Sequence, residues 1–287
     1  IGRMVFQAIC DQGLLGNEID VKAVVDVSTD ADYFVYQLKY DSVQGKFKHA
    51  ISSKKSSPDL ESDDILVVNG NEVKCVAAQR NTDDLPWGEL GVDYVIESTG
   101  IFTNLEQAGG HLKAGAKKVI ITAPAGQGEE QEGRTVLLGI NDEDFKKFAV
   151  ISNGSCTTNA VAPAIQILEE TVGVKKAVLN TIHAYTSSQR SVDGPDLKDW
   201  RRGRAASQNI IPSTTGAAKC VTKVIKNLKD KFDGIALRVP VVCGSIADIT
   251  FVSKKPTSVE EINGIFKQTI KEKKWQGIVE ITEHSIV

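Results

Sequence analysis

Short β-branched runs alternate with longer amphipathic stretches through the first half of the chain. Val21-Lys22-Ala23-Val24-Val25 predicts a buried strand ended by Asp26. Asp93-Tyr94-Val95-Ile96-Glu97 predicts another, followed by Ser98-Thr99-Gly100, and Lys118-Val119-Ile120-Ile121-Thr122 a third, followed by Ala123-Pro124. Residues 104–114, between the second and third runs, predict a helix. A strand–helix–strand rhythm of this kind predicts a parallel sheet covered by helices. In such sheets the turns at strand C-termini line the ligand crevice, the place occupied here by Asp26, Ser98-Thr99-Gly100 and Ala123-Pro124.

The second half changes character. Strand-like runs cover 177–183, 234–242 and 246–253, and helices are predicted over 215–227 and 258–273. Ser258 is placed to cap the latter and Glu261 to complete a capping box. This half predicts an α+β domain with a mostly antiparallel sheet. The Gly- and Glu-rich stretch from Gly126 to Gly133 predicts a solvated turn. The change of pattern near Val150 sets the expected boundary, giving domains over 1–150 and 151–287. No internal repeat or low-complexity segment interrupts either half.

With 287 residues, 41% of them hydrophobic and 25% charged, the chain has an ordinary globular composition with room for two cores. A net charge of −3 argues against a dedicated nucleic-acid site or a membrane surface, and no apolar run reaches the length of a membrane span. No secretory signal is visible. Ile1 falls in the middle of what reads as the start of a helix, so the native N-terminus is expected to lie outside this sequence.

Cys156 stands apart chemically. It sits in Ile151-Ser152-Asn153-Gly154-Ser155-Cys156-Thr157-Thr158-Asn159, just before the helical pattern that begins at Ala160. A thiol at a helix N-terminus faces unpaired N–H groups and the positive end of the dipole, which favour the nucleophilic thiolate. His183, in Thr181-Ile182-His183-Ala184-Tyr185-Thr186, offers an imidazole as base and acid. A single cysteine is usually a small buried apolar residue, and Cys10, Cys75, Cys220 and Cys243, all in apolar runs, are expected to follow that rule. Cys156, among Ser, Thr and Asn, is not. No Cys-x-x-Cys or close Cys/His group exists, so no metal site is expected, and five unpatterned cysteines argue against a disulfide scaffold.

Two further signals concern ligands. Ile1-Gly2-Arg3-Met4 resembles the tail of a Gly-x-Gly-x-x-Gly turn entering its helix, with only the last glycine present. Asp26 ends the following strand at a suitable separation to accept hydrogen bonds from adenosine ribose hydroxyls, and its charge favours NAD over NADP. An ordinary βαβ unit with an exposed Asp is the competing reading. The second signal is for anions. Arg201, Arg202 and Arg204 cluster in one segment, Arg238 ends a strand, and Ser213-Thr214-Thr215-Gly216-Ala217-Ala218 forms a hydroxyl-rich turn opening a helix. Guanidinium forks, hydroxyls and backbone N–H groups are what oxyanions require. Solvated surface arginines are the alternative.

Together these motifs, in order along the whole chain, resemble the phosphorylating glyceraldehyde-3-phosphate dehydrogenase family. The matching segments include Ile1-Gly2-Arg3-Met4, Val24-Val25-Asp26, Val95-Ile96-Glu97-Ser98-Thr99-Gly100 and Ser155-Cys156-Thr157-Thr158-Asn159. They continue through His183-Ala184-Tyr185-Thr186, Val192-Asp193-Gly194, 209–219 and Leu237-Arg238-Val239-Pro240. The first half looks most like the trypanosomatid type. The resemblance implies a Rossmann-type parallel-sheet NAD domain followed by an α+β catalytic domain. It implies oxidation of glyceraldehyde 3-phosphate to 1,3-bisphosphoglycerate through a thiohemiacetal and a thioester on Cys156, with His183 as base. NAD contacts carry over to Gly2, Arg3, Asp26, Arg80, Ser98, Thr99, Gly100 and Phe102. The substrate phosphate carries over to Thr186, Arg238 and Arg201, and inorganic phosphate to Ser155, Thr157, Thr215 and Gly216. A homotetramer in the cytoplasm is implied, with the glycosome as the alternative compartment.

Several positions depart from the family pattern. Ala160 replaces a common second Cys, Gly154 a common Ala, and Val241-Val242-Cys243-Gly244-Ser245 a Pro-rich version. Gly154 is expected to loosen the approach to the nucleophile. The first strand, two glycines of the phosphate turn, an Asn that holds the cofactor carboxamide and the terminal helix are expected beyond this sequence. Three alternatives share some of the same residues. They are an erythrose-4-phosphate dehydrogenase that hydrolyses its thioester, a papain-like hydrolase, and a catalytically silent nucleotide-binding protein that kept the fold.

Overall fold

The computed structural model describes residues 1–27, 30–126 and 134–287. Most of the predicted 126–133 turn therefore lies outside the described residues. The chain forms two compact units, Ile1–Thr122 and Ala123–Val287, so packing divides it earlier than the change of sequence pattern at Val150.

The first unit begins with helix α1 (Gly2–Asp11), strand β1 (Ala23–Asp26) and helix α2 (Ala31–Lys39). Strands β2 (Ile51–Lys54), β3 (Ile65–Val68) and β4 (Asn71–Ala77) follow. They form one four-stranded sheet in the order β1-β4-β3-β2. β1 pairs with β4 in parallel, while β4/β3 and β3/β2 are antiparallel, so this sheet is more mixed than the sequence rhythm predicts. The β3–β4 hairpin turns on Asn69 and Gly70, both at positive φ (51° and 84°). An Asn-Gly pair between apolar runs favours this turn, because its twist matches that of the flanking strands. Phe6 and Cys10 of α1 and Ala31, Phe34 and Leu38 of α2 pack with Leu66, Val68, Val73 and Cys75 of the strands. Burial pushes the thiols of Cys10 and Cys75 up to about 11, so both stay protonated.

Helix α3 (Trp87–Leu90) leads into strand β5 (Tyr94–Glu97), helices α4 (Leu105–Ala108) and α5 (Gly110–Lys113), and strand β6 (Lys118–Ile121), which pairs with β5 in parallel. The helix predicted over 104–114 is thus two short ones. Asn104 caps the first by accepting the Glu106 N–H at 2.8 Å, and the break falls at Gly109-Gly110, where helix propensity is lowest.

In the second unit, strand β7 (Val150–Ser152) runs into helix α6 (Cys156–Thr171). Strands β8 (Val174–Ala184) and β9 (Ile211–Thr214), helix α7 (Ala217–Val224), strands β10 (Phe232–Val239) and β11 (Ser245–Ser253) and helix α8 (Val259–Thr269) follow. The sheet order is β11-β8-β10-β9, with only the β8/β10 pair parallel, as a mostly antiparallel sheet requires. Val161, Ala162, Ile165 and Leu168 of α6 and Ala217, Ala218 and Val221 of α7 pack on Ala177, Leu179 and Phe232 of the sheet. Side chains alternate along β8, so one face carries this core and the other points away from it.

Three sequence expectations need correcting here. The predicted helix over 215–227 is regular only to Val224, where Ile225 leaves the helical region (ψ 75°). The helix predicted over 258–273 ends at Thr269, and its capping box is half formed. Ser258 accepts the Glu261 N–H at 3.2 Å, but the Glu261 carboxylate accepts the Thr257 hydroxyl at 2.8 Å instead of reaching back to the cap. Cys243 is exposed, not buried with Cys10, Cys75 and Cys220, because it lies in the β10–β11 connection and not in a strand.

Candidate active site

Cys156 is the first residue of α6, and Ser155 is its cap: the Ser155 hydroxyl accepts the Thr158 N–H at 3.0 Å. The chain reaches this cap through Gly154 at φ 68°, a left-handed conformation that a side chain resists. A Cβ there would stand 3.2 Å from Thr158 Cγ2 and 3.3 Å from Leu137 Cδ2, so the approach to the nucleophile is tight and not loosened. Asn159 braces the same turn by donating to the carbonyls of Asn153 (2.7 Å) and Ser155 (2.9 Å). The sulfur is left exposed at the positive end of a 16-residue helix.

His183 lies near the end of β8, and its Nε2 is 3.3 Å from Cys156 Sγ. Its Nδ1 is 2.7 Å from the Ala184 carbonyl oxygen. Nδ1 therefore stands between a carbonyl that only accepts and, at 2.8 Å, the Nη1 of Arg238 that only donates, while Nε2 faces the thiol. Arg238 is in register with His183 across the parallel β8/β10 pair. Its Nη1 donates to the Ala184 carbonyl at 2.9 Å and stands 2.8 Å from His183 Nδ1. Burial, reinforced by the charge of Arg202, lowers the Arg238 guanidinium below its ordinary value, with the opposing pull of Cys156 only partly offsetting this. The Nε atoms of Arg238 and Arg202 are both buried without a hydrogen-bond partner. Two half-used guanidiniums that repel each other suit an anion.

Sequence reasoning named Arg201 as a phosphate contact, but Asp199 holds that side chain, at 3.0 Å to Nε and 2.8 Å to Nη2. Arg202, one position on, is the residue whose charge reaches Arg238. Arg202 is half-buried in the 3-10 turn at Trp200–Gly203, with its Nε covered, an arrangement that no local pattern announces. Thr186 bonds within its own loop, to Ser188 and Gln189. Thr157 is buried in the first turn of α6. The Thr215 hydroxyl accepts the Ala217 N–H at 3.1 Å, and Gly216 is the cap of α7.

In the first unit, Asp26 ends β1 with an exposed carboxylate that accepts the Val27 N–H at 2.7 Å. A Cβ on Gly2 would lie 3.4 Å from Ser98 Cβ, so the helix start and the 98–100 turn form one close cradle that a larger residue would fill. These features fit a dinucleotide. Arg3 is 3.7 Å from Asp41, Arg80 and Gly100 are exposed, and Phe102 is half-buried. Thr99 bonds to Glu97, a residue that sequence reasoning did not single out.

Residues 1–105 match the family model described as glyceraldehyde 3-phosphate dehydrogenase, NAD binding domain, and residues 155–287 that of the C-terminal domain. Glycosomal glyceraldehyde-3-phosphate dehydrogenase of Crithidia fasciculata is 49% identical over 100% of this chain and 79% of its own length. The enzyme of Treponema pallidum is 48% identical over 100% and 81%. The cytosolic enzyme of Scenedesmus vacuolatus is 40% identical over 100% and 86%. With both domain models and relatives matched along its whole length, the chain belongs to the glyceraldehyde-3-phosphate dehydrogenase family.

Proposed function

We infer that this enzyme oxidises D-glyceraldehyde 3-phosphate with NAD and passes the acyl group to inorganic phosphate, with Cys156 as nucleophile. The observation that carries the reading is the 3.3 Å approach of His183 Nε2 to a sulfur on a helix N-terminus. His183 takes the thiol proton, and the sulfur adds to the aldehyde carbon while His183 returns the proton to the carbonyl oxygen. The thiohemiacetal then loses hydride from carbon as its hydroxyl proton returns to Nε2, leaving a thioester. Bound NAD supplies the acceptor for that hydride. A phosphate oxygen attacks the thioester carbon, the C–S bond breaks, and 1,3-bisphosphoglycerate leaves Cys156 as thiolate. The Cys156 backbone N–H, unpaired in the first turn of α6, supports the oxyanion formed at each addition.

Asp26, Gly2, Arg3, Arg80, Ser98, Thr99, Gly100 and Phe102 hold the dinucleotide in this reading. Arg238 and Thr186 take the substrate phosphate, and Arg202 joins them in preference to Arg201 because of its unpartnered Nε. Ser155, Thr157, Thr215 and Gly216 take inorganic phosphate. A homotetramer is supported by the outward face of the second sheet, where Val178, Ile235, Ile246 and Val252 are each more than half exposed. A cytoplasmic or glycosomal location agrees with the compartments named for the relatives. Among the described residues, no helix is long and apolar enough to cross a membrane.

Turnover measured with and without inorganic phosphate tests the acceptor. NADH formation that stalls after one equivalent without phosphate, and an acyl phosphate product with it, are expected. Steady turnover to the free acid without phosphate overturns the reading in favour of hydrolysis.

A further inference from the structure

A buried chain of three side chains in the first unit takes no part in the chemistry above. Glu97 and His111 are each 4% exposed, with Nε2 of His111 3.1 Å from Glu97 Oε2. Trp87 Nε1 donates to His111 Nδ1 at 2.9 Å. An indole N–H can only donate, so Nδ1 accepts and the His111 proton sits on Nε2, aimed at Glu97. Every donor therefore points the same way, from indole to imidazole to carboxylate. The other carboxylate oxygen accepts the Thr99 N–H at 2.8 Å and the Thr99 hydroxyl, and Thr99 Oγ1 accepts the Ile101 N–H at 3.1 Å. Burial raises the Glu97 carboxyl, but the bonds from His111 and Thr99 outweigh it and hold the group ionised below its ordinary value.

The three side chains come from separate segments. Glu97 ends β5 and leads directly into Ser98-Thr99-Gly100. Trp87 opens α3 at the end of the loop that carries Arg80, and His111 lies in α5, beyond Phe102. A second tie joins the same parts: the Thr82 hydroxyl of the Arg80 loop donates to the Gln107 carbonyl of α4 at 2.8 Å. We propose that Trp87, His111 and Glu97 are positioning residues for dinucleotide binding, setting the Thr99 turn and the Arg80 loop in one geometry through a fixed-direction hydrogen-bond chain. The inference rests on the reading of those two segments as NAD contacts.

Glu97→Gln tests it with little change of shape. If the amide oxygen faces Thr99, the NH2 opposes the His111 Nε2–H; if it faces His111, the NH2 opposes the Thr99 N–H. One side must lose its bond. The expected result is NAD binding weakened roughly tenfold by calorimetric titration of the apoenzyme, the effect of one buried donor left unpaired. Alkylation of Cys156 by iodoacetamide without NAD is expected to stay within about twofold, since that site lies in the other unit. In the wild type, ¹⁵N NMR is expected to find His111 as the Nε2–H tautomer. Should Glu97→Gln not fold, Trp87→Phe keeps a ring and deletes the single N–H; NAD binding about threefold weaker, with a mixed His111 tautomer, is then expected. A folded variant with unchanged NAD affinity, or wild-type His111 carrying its proton on Nδ1, overturns the inference. Failure of the wild type to bind either NAD or ADP-ribose overturns instead the reading on which it rests.

Discussion

His183 and Arg238 lie side by side in register on adjacent parallel strands, with Arg238 Nη1 2.8 Å from His183 Nδ1 and 2.9 Å from the Ala184 carbonyl, which is itself 2.7 Å from that Nδ1. One guanidinium thus borders both the base and the place proposed for the substrate phosphate. Arg238→Gln removes its charge while keeping a donor. Because a hydrogen bond to a charged group contributes about 1.5–3 kcal/mol, kcat/KM for glyceraldehyde 3-phosphate should fall roughly tenfold to a hundredfold. The loss should appear mainly in KM, and steady-state kinetics at saturating NAD and phosphate would measure it.

The Cys156–His183 contact makes a separate prediction. His183→Asn deletes the base, and kcat should fall by about 10²–10⁴. Alkylation of Cys156 near neutral pH should slow as well. Cys156→Ser should leave no thioester detectable by mass spectrometry after reaction with substrate. Dehydrogenase activity unchanged in Cys156→Ser would remove the proposed nucleophile.

Two helix caps allow stability and phosphate binding to be separated. Ser155 caps α6 and Ser258 caps α8 through the same kind of bond, Oγ to the N–H three residues on. Alanine at either should cost about 1 kcal/mol, seen as a lowered melting temperature. Only Ser155→Ala should also raise the phosphate concentration needed for half-maximal rate. Equal phosphate dependence in the two variants would leave Ser155 with a capping role alone.

Acid sensitivity follows from Glu97. Its folded-state carboxyl is held below the ordinary 4.5, so it binds its proton less readily folded than unfolded. Its contribution to stability is therefore fully present above about 4.5 and is lost as the pH falls through the folded value. Glu169, held down by Lys254 and the Val174 N–H against the opposing effect of burial, acts in the same direction. Urea midpoints should be flat from neutrality to about pH 5 and drop below it. Glu97→Gln should flatten part of that drop.

Motifs with short-range causes were legible along the chain. Strand β5 with its Ser-Thr-Gly turn, the Ser258 cap and a helix N-terminus at Cys156 depend on residues within a few positions of each other and stand where their sequence predicts. The helical pattern read from Ala160, however, begins four residues earlier, behind a Ser155 cap that sequence reasoning did not name. The β3–β4 hairpin was not among the predicted elements, although Asn69-Gly70 after the apolar run Ile65-Leu66-Val67-Val68 carries its signal; only β4 has polar residues interrupting its apolar positions. Helix lengths were overcalled over 104–114, 215–227 and 258–273, since amphipathic spacing continues where backbone geometry already stops.

By itself the sequence determined which chemistry this protein carries: a thiol on a helix start, an imidazole, an acid at a strand end, and the family whose motifs they spell. Tertiary structure alone decided which of these groups meet. Strand register brings Arg238 to His183 across 55 residues of chain, and sets both beside the Ala184 carbonyl. Packing joins Glu97 to His111 and Trp87, which come from three separate segments, in one buried hydrogen-bonded chain. The division has one physical cause. Helix caps, turns and strand patterns respond to neighbours along the chain, whereas the pairing of a guanidinium or a buried carboxylate depends on partners that only the folded chain brings within hydrogen-bond distance.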